Sequence, residues 1–301
     1  MTISEFKKYF STELSDIYTA SESSFLYSIF VHKIVGFDAF YQRRFADQEL
    51  LINDEKQLQK AVFELKANKP YQHILGETEF YGMKFFVDEN VLIPRPETEE
   101  LLETAILQIR HYIVIHHELQ HHEESQDSPL GMINRKLKIL DIGTGSGVIP
   151  LVLKKYFPEA EVHSIDFSEK ALQTAKKNAA FHQLEVNFIH TDYLNTALNE
   201  NFDIIISNPP YIGIDEEHEI ADSVKEFEPK MALFSPTSDA LIFYRKIAED
   251  SKNHLKQDGL LFLEINQKLG PETLDLYTHL FSKAELVKDL SGNDRFIIGK
   301  K

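Results

Sequence analysis

From Lys136 to the C-terminus the chain alternates short apolar runs with segments of helical period. The runs LKILDIG, EVHSID, VNFIHTD, FDIIISN and GLLFLEI have strand length and are rich in isoleucine, leucine and valine, the composition of strands buried on both faces. Between them the apolar spacing predicts helices over 148–156, 169–182 and 240–255. Such alternation predicts an α/β fold, a mostly parallel sheet with helices on both faces. In the tail, AELVKDLSGNDRFIIG, two further strand-like runs meet near 291–294, and so short a connection permits only an antiparallel pair. No internal repeat is visible.

The first 75 residues follow a different rule. Phe6, Tyr9, Phe10, then Phe25, Ile29, Val31, Val35, and later Leu58, Ala61, Val62 and Leu65 recur at helical spacing with polar residues between them, which predicts a small helical domain over 1–75. Asn53 and Asp54 are placed to cap its last long segment, and residues 68–70 to end it. Packing or substrate docking is the work expected of it. In 76–96, aromatic and β-branched residues flank Gly82 and turn formers follow at 88–90, as in a β-hairpin linking two domains. Pro94 and Pro96 stiffen the exit, and a helix is expected from Pro96 or Glu97 through about Tyr112. The larger domain then covers 97–301. Within it, 116–134 is polar and histidine-rich and reads as a loop. His116, His117, His121 and His122 have no partner at a recognised zinc spacing, so a solvated helix end is expected there and no metal.

Composition narrows the setting. With 43% hydrophobic residues and 22 phenylalanines among 301, the chain can build a real core. It contains no cysteine, which removes disulfides, thiolate nucleophiles and cysteine-based zinc sites. The start, MTISEFKKYF, carries no apolar stretch behind a basic one, and no run has bilayer-spanning length, so a soluble cytoplasmic protein without membrane contact is expected. A net charge of −16 disfavours a phosphate backbone and makes a protein substrate the better expectation.

The candidate chemistry sits at the ends of the predicted strands. LKILD runs into Gly143, Thr144, Gly145, Ser146 and Gly147 and then a helix, a turn that lets a ligand approach bare backbone. The third glycine falls one position short of the dinucleotide fingerprint, which argues against NAD. Asp166 ends the second strand, where a carboxylate can accept from both ribose hydroxyls. Asp192 and Tyr193 close the third, and each also suits an ordinary turn. The fourth, FDIIIS, delivers Asn208, Pro209, Pro210 and Tyr211. Asn208 brings a side-chain carbonyl, Pro209 a backbone carbonyl and Tyr211 an aromatic face, and two convergent acceptors suit a planar NH2 group. Arg95, between two prolines, is either a surface residue in a rigid turn or a group facing the cofactor pocket. Together these groups favour S-adenosylmethionine, and the late antiparallel strand fits class I methyltransferases better than dehydrogenases.

DIGTGSG, SIDFSEKAL, TDY and SNPPYI, with ILGETEFYG and VLIPRPETE upstream and FEPKMAL and FYRKI downstream, resemble the glutamine methyltransferases of peptide-chain release factors. The similarity runs from about residue 70 to the C-terminus, and the helical N-terminal region matches in kind. The resemblance implies methyl transfer from S-adenosylmethionine, with S-adenosylhomocysteine as product, to the side-chain amide of the glutamine in a release factor's Gly-Gly-Gln loop. It implies cofactor contacts from Gly143, Thr144, Gly145, Ser146, Gly147, Asp166 and Tyr193, and a glutamine held by Asn208, Pro209, Pro210 and Tyr211. A monomer that needs no metal is expected. Two departures stand out: Tyr193 occupies a position where tryptophan is common, and Asn266 replaces a common glycine after LEI. Two other readings use the same residues. An N6-adenine methyltransferase would present its exocyclic amine to the same acceptors, against the charge and the RPETE run. A non-catalytic S-adenosylmethionine-binding module would bind the cofactor without transfer.

Overall fold

Two capping boxes open the chain in the computed structural model, which describes residues 1–123, 136–213, 216, 218 and 221–301. Thr2 caps α1 (Ile3–Glu13) and Thr19 caps α2 (Ala20–Val35); each side chain accepts from the backbone N–H of a following glutamate, whose carboxylate accepts from the threonine N–H in return. Asp38 caps α3 (Ala39–Arg44) through the N–H groups of Phe40 and Tyr41. α4 (Ile52–Lys66) begins earlier than its sequence suggests. Asn53 and Asp54 lie inside its first turn, Leu51 is the cap residue, and no side chain caps it. Asp54 and Glu55 favour the helix start by their charge instead, and Glu55 also accepts from the N-terminal amine at 2.6 Å. With α5 (Tyr71–Leu75), these helices enclose Phe6, Phe10, Phe30, Leu58 and Leu65. They form one unit, Met1–Thr78 together with Ala221–Phe227.

The unit boundary falls within β1 (Glu77–Phe80), which pairs with β2 (Met83–Phe86) in a two-stranded sheet. Tyr81 and Gly82 between them both have positive φ, +51° and +64°, the backbone that a two-residue hairpin turn demands.

The second unit comprises Glu79–Ile220 and Glu228–Lys301. Its first helix, α6 (Pro96–Glu123), runs well past Tyr112. Polarity suggests a loop from His116, yet Glu, Gln and Leu there are good helix formers and the stretch contains neither glycine nor proline up to Glu123, so the helix continues. His116 lies along the helix, its Nδ1 2.9 Å from the Tyr112 carbonyl. Residues 124–134 of the expected loop lie outside the described residues.

Then follow β3 (Lys138–Ile142), α7 (Val148–Tyr156), β4 (Glu161–Asp166), α8 (Glu169–His182), β5 (Asn187–His190) and β6 (Phe202–Ser207). After α9 (Asp222–Phe227), which belongs to the first unit, come α10 (Lys230–Leu233), α11 (Ile242–His254), β7 (Leu255–Glu264), α12 (Gly270–Thr278), β8 (Lys283–Lys288) and β9 (Asp294–Lys300). The seven-stranded sheet has the order β5-β4-β3-β6-β7-β9-β8. Pairings from β5 through β7 are parallel, and β9 inserts antiparallel between β7 and β8. β6 shows why the strand runs are mostly apolar: Ile204 and Ile206 pack with Leu101 and Val152 on one face, and Ile205 with Tyr244 and Ile247 on the other. The chain steps outward from β3 to β4 and β5, then returns to add β6 on the opposite side. Between β3 and β6 the order therefore reverses, and their carboxyl ends open the crevice in which ligands of such sheets sit. Among the described residues no helix is long and apolar enough to cross a membrane.

Candidate active site

The loop leaving β3 is shaped by three left-handed glycines, Gly143, Gly145 and Gly147, with φ of +90°, +53° and +86°. Such angles are strained for any residue with a Cβ. The N–H groups of Gly143 and Thr144 both reach the Ile165 carbonyl, at 2.9 and 3.0 Å, so the loop is tied to the end of β4. Under it lies a buried polar stack: Ser164 donates to Asp141 Oδ2 at 2.6 Å, and Thr144 Oγ1 is 2.6 Å from Ser164 Oγ. Burial pushes the Asp141 carboxyl up to about 7, against the hydrogen bond from Ser164. Gly147 is the tightest position of the loop, because a Cβ there would meet Ala175 Cβ at 3.1 Å and Leu151 Cδ1 at 3.2 Å. Gly147→Ala is accordingly expected to lower unfolding free energy by about 1–3 kcal/mol in urea titrations; an unchanged midpoint would show that the loop tolerates the added atom.

Asp166 stands at the carboxyl end of β4. Its Oδ2 accepts from the Gly145 N–H at 2.8 Å and its Oδ1 from the Ser168 N–H at 2.7 Å, so one carboxylate braces the glycine loop and the start of α8 together. Burial raises its pKa, and these two N–H groups pull the other way. Asp192 follows β5, with Oδ1 accepting from the Leu194 N–H and Oδ2 from Asn195 Nδ2. Its carboxylate thus forms the turn, and it also borders the cavity. Tyr193 beside it is buried in the core, with the Lys246 ammonium 5.2 Å from its ring centre.

The loop after β6 carries the least ordinary arrangement. Asn208 Nδ2 donates to Thr98 Oγ1 at 3.1 Å, Thr98 Oγ1 donates to Glu264 Oε2 at 2.6 Å, and the Tyr211 hydroxyl donates to Glu264 Oε1 at 3.3 Å. Tyr211 therefore turns its hydroxyl inward and packs its ring against the core, an anchor rather than the open stacking face expected of it. Its phenol pKa is raised by burial. Asn266 donates to the Tyr211 carbonyl at 3.2 Å and to Glu216 Oε1 at 3.0 Å. Its φ of −64° is ordinary for a residue with a Cβ, so the turn that the sequence left open at this position needs no glycine.

Arg95 borders the same cavity. Its Nη2 donates to Glu228 Oε1 at 2.7 Å, and Glu228 Oε2 accepts from the Ile93 N–H at 3.0 Å, so the buried acid of the FEP run pins the arginine of the RPETE run. The cavity, about 860 Å³, is lined by the glycine loop, Asp166, Asp192, Tyr193, Asn208 with Pro209 and Pro210, and Arg95. A Cβ on Gly143 would come within 3.4 Å of the Asn208 carbonyl, whereas one on Gly145 would meet nothing within 4 Å. The two loops thus touch at one point and open into shared space.

A family model described as the methyltransferase small domain matches residues 130–226. A release factor glutamine methyltransferase of Flavobacterium psychrophilum is 42% identical over 99% of this chain and 98% of its own. The chain belongs to the release factor glutamine methyltransferase family. Family members from Bacteroides thetaiotaomicron and Streptococcus pneumoniae are 34% and 39% identical, over 97% and 83% of this chain and 98% and 82% of theirs.

The fold of this family member is the class I S-adenosylmethionine-dependent one, and its cavity fits that cofactor: bare glycine backbone, an adjoining carboxylate at a strand end, and a volume in the range of small-molecule sites. Thr98 and Glu228 are among the polar residues near this site to which the sequence alone assigned no individual role. Both lie in runs that carry the resemblance, Thr98 in RPETE and Glu228 in FEP, and Glu264, the acid closing the apolar run LFLEI, is open in the sequence to two readings, a functional acid or a turn partner. At the opposite, amino end of the strands, Glu161, His163 and Glu200 bring ligand atoms within 4.8 Å of one another. The Lys138 ammonium already bonds Glu200 and lies 3.5 Å from Glu161, so the cluster has its own cation.

Proposed function

We propose that this chain transfers the methyl group of S-adenosylmethionine to the side-chain amide nitrogen of the glutamine in the Gly-Gly-Gln motif of a peptide-chain release factor. Membership of the family supports the substrate, and the orientation of Asn208 in the wall of the cofactor-sized cavity supports the chemistry. An amide nitrogen is a weak nucleophile because its lone pair is delocalised into the carbonyl. When bound, S-adenosylmethionine supplies an electrophilic methyl on a sulfonium. Asn208 commits its Nδ2 to Thr98, which leaves Oδ1 to accept one hydrogen of the glutamine amide. The Pro209 carbonyl, beyond the end of β6, is the second acceptor. Held by both, the nitrogen is oriented for attack, and the gain is one of effective concentration. As positive charge grows on nitrogen, its hydrogens bind these oxygens more tightly, so the transition state gains more than the ground state. Arg95, fixed by Glu228, is assigned to the substrate side of the cavity, and Asp166, Asp192 and Tyr193 to the cofactor side. The helical unit is assigned to docking of the release factor, and the protein to action as a monomer in the cytoplasm.

The discriminating experiment is transfer of labelled methyl from S-adenosylmethionine to a release factor, to a Gly-Gly-Gln variant with glutamine replaced, and to DNA and RNA. Label on the intact release factor alone is expected. Label on adenine would move the activity to nucleic acid, and cofactor binding without label on any substrate would reduce the chain to a binding module.

A further inference from the structure

We propose that Thr98 and Glu264 form a positioning relay that holds the Asn208 amide in the orientation offering Oδ1, rather than Nδ2, to the substrate; the inference rests on the reaction assigned above. An asparagine side chain is nearly symmetric in shape, and turned over it would present two N–H donors to a glutamine NH2, donors against donors. Something must choose between the two. The Thr98 hydroxyl has one proton, and it goes to Glu264 Oε2 at 2.6 Å. Only lone pairs then remain on Thr98 Oγ1, so the atom of Asn208 facing it at 3.1 Å has to be the donor Nδ2. The direction of the chain is set at its far end, by an acid that accepts.

Glu264 is 1% exposed and Thr98 3%, at the end of β7 and in the first turn of α6, and a buried carboxylate costs free energy that an apolar residue would not. Tyr211, the last residue of the NPPY run, donates to the other oxygen of the same carboxylate, so Glu264 ties both ends of that run. The charged and titratable groups that bear on it are Arg295, which favours the ionised form, Glu97, which opposes it, and the Tyr211 phenol. Burial outweighs the rest and pushes its carboxyl up to about 7. Below that pH the carboxyl carries a proton and can donate to Thr98. The Thr98 hydroxyl is then released to point at Asn208, and the selection is lost.

The relay is tested on the full chain with release factor as substrate. Thr98→Val is expected to lower kcat by about ten- to a hundredfold, leaving KM for the release factor and the Kd for S-adenosylmethionine within about threefold, and Thr98→Ser to restore it. Wild-type kcat is expected to fall on the acid side of about pH 7, and Glu264→Gln to lack that limb over the same range. Asp141, which titrates nearby in pH, is intact in that variant and serves as the internal control. A folded Thr98→Val enzyme within about twofold of wild-type kcat, or an acid limb unchanged in Glu264→Gln, would overturn the relay. Should Thr98→Val not fold, the pH comparison decides alone. A readout independent of transfer separates this inference from the assigned reaction: in isotope-labelled protein the Asn208 side-chain NH2 should be protected from exchange, relative to a free asparagine amide at the same pH, in wild type above about pH 7, and should lose that protection in Thr98→Val or, where that does not fold, in wild type below about pH 7. No protection in wild type above about pH 7 would end the relay whatever the substrate proves to be.

Discussion

Replacing Asn208 by alanine is expected to cut kcat about a thousandfold, the scale set by removal of one preorganised hydrogen-bonding group from a transition-state site. The same change should move the Kd for S-adenosylmethionine by less than about threefold, because the cofactor is assigned to the glycine loop and Asp166 and the lost bond is one that strengthens only as charge develops on the substrate nitrogen. Asn208→Asp should fare little better. It removes the N–H that Thr98 accepts and places a second carboxylate near the buried Glu264. Labelled-methyl transfer with saturating cofactor measures the first effect, and titration calorimetry the second. An alanine variant that turns over within tenfold of wild type would leave the amide without its assigned acceptor. One that loses the cofactor as well would make Asn208 part of the donor site instead.

How much of this was legible beforehand follows from where the information lies. Strands buried on both faces are largely apolar, so β3, β6 and the second half of β7 stand out as runs even with Asp141 and Asp203 among them, and the glycine loop is visible because only glycine takes its three positive φ values without strain. Helix ends were less legible. Leu51 caps α4 without a side-chain bond although Asn53 and Asp54 stand close by, and α6 continues to Glu123 through residues whose polarity says nothing against a helix. The relay was hidden for a different reason. Thr98 and Glu264 are separated by 166 positions, and only the packing of α6 over the end of β7 makes a threonine and a glutamate into one hydrogen-bonded pair. The same holds for Arg95 and Glu228, 133 apart: two motifs that look independent along the chain are two halves of one ion pair, whose arginine lines the cavity. Tyr211 shows the converse, since its residue type suggests a stacking surface while its hydroxyl has a buried partner that sequence does not display.

Asp166→Ala is expected to weaken S-adenosylmethionine binding by roughly a hundred- to ten-thousandfold, since a carboxylate hydrogen-bonded to a ligand contributes about 1.5–3 kcal/mol per bond and two ribose hydroxyls are assigned to this one. The structure adds a second route to the same loss. Asp166 already accepts the N–H groups of Gly145 and Ser168, so its removal leaves the Gly145 N–H without its partner and frees the loop from the end of β4 at that point. Asp166→Asn tells the two routes apart: its single oxygen can replace one backbone acceptor but cannot serve both N–H groups and the ribose, so an affinity between wild type and alanine is expected. Because burial raises the Asp166 pKa, affinity should also fall as pH is lowered through that raised value, the direction in which the carboxylate gains a proton and loses acceptors. At saturating cofactor kcat should change by less than about tenfold, since Asp166 lies on the cofactor side and holds none of the groups assigned to the glutamine. Calorimetry across the acid range measures both effects, and an alanine variant with wild-type affinity would remove the ribose assignment and leave Asp166 as a brace for the glycine loop alone.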